Sequence, residues 1–208
     1  MDSILNKGPF APCPSPFNMA AHVLGRATMQ PEKVALTVMG RRQDTHWSYA
    51  KLEAAVRGTG TGLLRLGLKA GDILLLRLGN TPEFPIAYLG AIAVGVIPVP
   101  TSSQLTLSEV EKIVTTLKPK AIAYGTSVPS PEGGEFQRIS EADLAEMHAL
   151  PPCEYVMGEP DRMAYIIYTS GTSGRPRAVM HAHRAIWARQ MMFEGWYGLK
   201  EDDRLCHA

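Results

Sequence analysis

Apolar positions change their period several times along this chain, and each change marks an element. Runs from Val34 to Met39 and from Thr45 to Tyr49, separated by Gly40-Arg41-Arg42-Gln43-Asp44, predict two strands of a hairpin. Leu52, Val56, Leu63, Leu64 and Leu66 then fall roughly on one stripe between Ser48 and Gly67, the spacing of a long helix with one buried face. Gly58, Gly60 and Gly62 interrupt it at up to about 1 kcal/mol each relative to alanine, so they either admit a close neighbour or leave the helix locally irregular. Past the Gly71-Asp72 turn come a strand Ile73 to Leu78, an apolar helix from about Pro82 to Val94 and a short strand Val96 to Val99. A helix through Leu117, with Ser108 and Glu111 as its capping box, and a strand Lys120 to Tyr124 follow. Ahead of all of these, a proline-rich opening to about Phe17 leads to Asn18, which caps a helix expected to reach about Met29. Strands and helices in alternation imply an α/β fold with a parallel sheet.

The pattern breaks between Thr126 and Pro160. Pro129, Pro131, Pro151, Pro152 and Gly133-Gly134 make this stretch a surface connection with one helix from about Ser140 to His148. It is also where the charge sits: Gly125 to Asp161 holds eight acidic residues and one arginine, in a chain whose 21 basic and 20 acidic residues leave a net charge of +1. The remainder is locally positive, yet nothing global points to nucleic acid or an anionic membrane. Ile86 to Pro100, the most apolar stretch, is too short for a membrane span. Cys13, Cys153 and Cys206 are too far apart for a disulfide framework or a paired-ligand metal site, and the N-terminus has no secretory pattern, so a cytoplasmic protein is expected. The oligomeric state is not legible. The division that follows is an α/β unit over 1–124, an acidic connection over 125–161, and the start of a second α/β unit over 162–208.

That second unit carries the chemistry. Tyr165, Ile166, Ile167 and Tyr168 read as a buried strand running straight into Thr169-Ser170-Gly171-Thr172-Ser173-Gly174, where little side-chain bulk keeps backbone N–H groups from converging on an anion. Four hydroxyls and the guanidinium groups of Arg175 and Arg177 add donors suited to phosphate. The spacing excludes a Walker loop, since Gly171 and Gly174 are three apart and no Lys-Ser or Lys-Thr follows. A dinucleotide fingerprint is also absent, because Gly58, Gly60 and Gly62 lie inside a helical pattern with no strand just before them. Pro176, without an N–H, stiffens the loop exit. His181 and His183 are expected to face opposite ways and to serve structural or pocket-wall roles, and Arg184 and Arg189 to lie on a solvated helix face.

Thr169-Ser-Gly-Thr-Ser-Gly-Arg-Pro-Arg-Ala-Val179 resembles the phosphate-binding signature of the adenylate-forming enzymes, the superfamily of acyl-coenzyme A synthetases, firefly luciferase and peptide-synthetase adenylation domains. Arg177 stands where lysine is commoner, exchanging an ammonium for a planar fork that keeps the charge. Ala178 stands where glycine is usual, which matters only if the position needs a positive φ or very close backbone approach. The His-Arg continuation at 183–184 and the order Leu66, Gly67, Gly71, Asp72, Asn80 and Val96-Ile-Pro-Val-Pro100 extend the resemblance upstream and downstream.

The resemblance implies the N-terminal part of the large domain of such an enzyme, with parallel or mixed sheets flanked by helices. It implies ATP with Mg²⁺, a small-molecule carboxylate that becomes an acyl-adenylate, and coenzyme A as acceptor. Thr169, Ser170, Gly171, Thr172, Ser173, Gly174, Arg175 and Arg177 are the nucleotide-phosphate residues it assigns, with Thr169 and Thr172 the preferred hydroxyl donors. It assigns no catalytic or metal-binding residue here: the family's adenine segment, magnesium carboxylate, ribose aspartate and C-terminal domain with its lysine come later than position 208. The chain is accordingly expected to be an N-terminal fragment with negligible activity alone. The alternatives are a catalytically silent nucleotide-binding or interaction module, and an adenylation domain that loads a carrier protein.

Overall fold

The computed structural model describes residues 11–40, 43–169, 177–195, 197–200 and 202–206. Helix α1 (Met19–Val23) starts where Asn18 Oδ1 accepts the amides of Ala20 at 2.9 Å and Ala21 at 3.3 Å. It stops well short of Met29: Gly25 weakens any continuation, and the chain proceeds in overlapping turns that bury Leu24 and Ala27. Strands β1 (Val34–Val38) and β2 (Thr45–Ser48) form the expected antiparallel hairpin.

Helix α2 (Tyr49–Arg65) runs unbroken through its three glycines, and their purpose is close packing. A Cβ on Gly58 would stand 2.6 Å from the Met147 carbonyl oxygen, and one on Gly62 would collide with the Met147 side chain. The stretch carrying Met147 therefore lies directly against this face.

Four parallel strands make the central sheet: β3 (Ile73–Arg77), β4 (Ile97–Pro100), β5 (Ala121–Tyr124) and β6 (Gln137–Ser140), in the order β4-β3-β5-β6. Alternation along β3 divides the core. Leu74 and Leu76 face the layer of α2, α3 (Glu83–Ala93) and α5 (Glu141–Met147), whereas Leu75 faces Val110 and Ile113 of α4 (Leu107–Leu117). Strand β6 falls inside the stretch that reads as a surface connection. Only Ile139 of Gln-Arg-Ile-Ser is buried, which suffices for an edge strand but leaves no periodicity to detect. The capping box of α4 is Thr106 with Glu109, two residues earlier than the Ser108–Glu111 expectation; Glu109 Oε2 accepts the Thr106 amide at 2.8 Å.

Arg77 explains that shift. Fully buried at the end of β3, it donates to the carbonyls of Pro129 (2.8 and 3.0 Å), Ser102 (2.5 Å) and Leu105 (3.3 Å) and to Thr101 Oγ1 (3.2 Å). All five guanidinium N–H groups are thereby used. The loop between β4 and α4 is fixed up to Leu105, so the helix starts at the next competent cap.

Candidate phosphate hairpin

Two strands frame the glycine loop. β7 (Met163–Thr169) and β8 (Arg177–Ala182) pair antiparallel, Ile167 opposite Val179, Tyr168 opposite Ala178 and Thr169 opposite Arg177. The expected strand Tyr165–Tyr168 thus lies within β7. Ser170, Gly171, Thr172, Ser173, Gly174 and Arg175, together with Pro176, lie outside the described residues. The flanking positions are described: Thr169 and Arg177 form the last pair of the ladder, so the seven-residue connection 170–176 leaves and re-enters the sheet about 5 Å apart. The exposed Arg177 sits at that mouth.

Among the described residues the hairpin is buried most deeply at its root, and Ile167 and Tyr168 farther along are half-buried against the core. Ala164, Tyr165 and Ile166 of β7 are buried, Ile166 against the α4 side of the sheet and Tyr165 with the α2–α3 side. Tyr165 stacks on His181 at 4.6 Å between ring centroids and meets Tyr88 at 5.6 Å. Burial raises the pKa of both tyrosine hydroxyls, so these rings are neutral walls and not bases. Farther out, Arg177, Ala178, Val179 and Met180 are exposed. Ala178 is extended within β8, and among the described residues Lys118 is the only non-glycine with positive φ, so position 178 does not need the positive φ that favours glycine.

The two histidines separate for a reason different from the expected one. A two-residue step along a strand keeps side chains on one face, but β8 ends at Ala182 and His183 leaves it. His181 stays half-buried on Tyr165, whereas His183 is 1 % exposed and its Nδ1 accepts the Met19 amide at 3.0 Å. Burial first, and the Arg162 cation second, lower its pKa to about 4. Arg184 pairs with Asp161 at 2.5 Å between two exposed side chains, a surface contact worth about 0–1 kcal/mol. Helix α6 (Ala185–Gly195) follows, with Arg189 exposed on it.

Sequence reasoning missed the anchors of this hairpin. Arg162, just before β7, donates to the carbonyls of Phe17 (2.6 Å) and Val156 (2.5 Å). Asn18, read only as a cap, also donates to the carbonyls of Val156, Ile92 and Ala93. No local pattern announces either role, because Arg162 reaches back 145 positions to Phe17 and Asn18 reaches 74 to 138 positions ahead. Among the described residues no three His, Cys, Asp or Glu side chains converge as a metal site would require, so none of them is assigned to Mg²⁺.

A family model described as "AMP-binding enzyme" matches residues 24–208. The chain is 28 % identical to a 3-hydroxybenzoate/4-hydroxybenzoate–CoA ligase of Thauera aromatica, over 90 % of this chain and 39 % of that protein. It is 30 % identical to a 4-coumarate–CoA ligase of Vanilla planifolia over 69 % of this chain and 29 % of that one. In structure it resembles a benzoate CoA ligase from Burkholderia xenovorans LB400, with a TM-score of 0.77, 23 % identity and coverage of 90 % and 39 % of the two chains, a likeness of fold. The N-terminal domain of FACL13 from Mycobacterium tuberculosis gives a TM-score of 0.70 at 27 % identity, over 82 % and 45 %. The chain therefore spans roughly two fifths or less of the curated relatives it matches.

Proposed function

The chain belongs to the family of AMP-binding enzymes, and on that premise we propose that it supplies the triphosphate grip of an ATP-dependent carboxylate–coenzyme A ligase. In that reaction a carboxylate oxygen attacks the α-phosphorus of ATP, pyrophosphate leaves, and a thiol then displaces AMP from the acyl carbon. The first transition state gathers negative charge on phosphate oxygens, so aligned N–H groups and cations lower its barrier. The observation that carries the reading is the pairing of Thr169 with Arg177: it closes a hydroxyl- and glycine-rich loop on a sheet edge with a guanidinium at its mouth. Thr169, Ser170, Gly171, Thr172, Ser173 and Gly174 would hold the β- and γ-phosphates, with Arg175 and Arg177 as cations. The substrate is a carboxylic acid of aryl, short- or medium-chain type; the names of the aryl–CoA ligases above support the aryl form. Magnesium would arrive with the nucleotide and screen its phosphates.

Equilibrium dialysis of the 208-residue chain against MgATP tests the grip. Saturable binding is expected, weakened about tenfold by Arg177→Ala, the loss of one charge-assisted contact. Absence of binding by the unsubstituted chain would refute it.

A further inference from the structure

The root of the hairpin is tied to the N-terminal segment by a set of long-range contacts. The His183 amide donates to the Arg162 carbonyl at 3.1 Å, closing the hairpin opposite its loop. Phe17 exchanges backbone hydrogen bonds with Gly158, its amide donating at 2.7 Å, and its carbonyl also accepts from Arg162 Nη1 at 2.6 Å. Asn18 Nδ2 and Arg162 Nη2 meet on the same Val156 carbonyl. The first turn of α1 has three amides satisfied from outside the helix: Asn18 takes those of Ala20 and Ala21, and His183 Nδ1 takes that of Met19.

We propose that His183 is a positioning residue for the hairpin, an uncharged acceptor that pins the hairpin root to α1 and so sets where the Thr169–Arg177 mouth stands. This rests on the triphosphate reading for its purpose, although the geometry stands without it. The mouth lies seven residues from the root, about 20 Å of extended chain; full burial is limited to Ala164–Ile166 beside the root, and Ile167 and Tyr168 nearer the mouth are only half-buried against the core. A tilt of about 10° at the root would move the mouth by about 3–4 Å, and misplacements of about 1 Å already cost phosphate chemistry heavily. The imidazole must be neutral with its proton on Nε2, because Nδ1 accepts. Arg162 beside it favours that form.

Two variants of the 208-residue chain test this. Asn at 183 can present Oδ1 where Nδ1 stands, whereas His183→Phe fills the space without an acceptor. Amide exchange is read at Met19, along β7 and β8, and along β3 and β5 as a control for the fold; MgATP affinity is read by dialysis. For His183→Phe, exchange at Met19 and in the hairpin should quicken at least about tenfold with β3 and β5 unchanged, and affinity should fall about tenfold. For His183→Asn, both readouts should stay within about threefold of the parent. The proposal is overturned if the Phe variant keeps hairpin protection, if the Asn variant is impaired as much as Phe, or if hairpin and sheet lose protection together. Failure of the parent chain to bind MgATP would instead overturn the triphosphate reading, while the exchange comparison still decides the positioning role.

Discussion

Among the described residues Arg77 is a buried cation that bonds to no carboxylate, and it shows how one is accommodated. Three carbonyls and a hydroxyl satisfy its donors, and desolvation alone lowers its pKa. Arg77→Met would leave three carbonyl groups short of partners and free the loops at 101–105 and 129. A loss of about 3 kcal/mol in urea unfolding is expected, and a loss below about 1 kcal/mol would count against this account. His183 makes a prediction with a sign. Its folded pKa, about 4, lies below the ordinary 6.5, so unfolding favours proton uptake. Stability from its neutral form is complete above pH 6.5 and is lost as pH falls toward 4. Denaturation of His183→Asn followed over that window should lack the part of the acid slope that the parent owes to this group.

At the scale of elements, packing decides between local signals that the sequence leaves equal. Thr106 and Ser108 each begin a Ser/Thr-x-x-Glu pattern, and only the tether of Leu105 by Arg77 selects the first. Thr106→Ala should therefore lower stability by about 1 kcal/mol, whereas Ser108→Ala should leave the thermal midpoint essentially unmoved. Equal effects would mean that the cap is not fixed in this way. The glycines of α2 are a second case. Gly58→Ala improves helix propensity by about 1 kcal/mol in isolation, yet here the new methyl meets the Met147 and His148 carbonyls at 2.6 and 2.9 Å. Net destabilisation of about 1–3 kcal/mol is expected, and a more stable variant would show that α5 yields easily. The strands and helices of the first 124 residues were legible because their apolar periods are strong. β6 was not, since an edge strand with one buried side chain leaves no period to find.

For the whole molecule, the fold and the family establish what kind of machine this chain belongs to, and turnover is a separate question. With only the loop and its hairpin assigned to nucleotide, the 208-residue chain is expected to bind MgATP without catalysing ATP–pyrophosphate exchange. Exchange above background with any carboxylic acid would contradict that expectation.

By itself the sequence determined the order of most elements, the parallel character of the sheet and the motif on which the proposed phosphate grip rests, because periodicity and a contiguous motif are local properties of a chain. The tertiary structure alone decided that Thr169 and Arg177 face each other across a hairpin mouth. It also decided that Asn18, Arg162 and His183, up to 165 positions apart, share the task of holding the hairpin root. Those contacts join backbone groups to side chains across the fold, and a hydrogen bond between distant residues leaves no trace in the spacing of either one's neighbours.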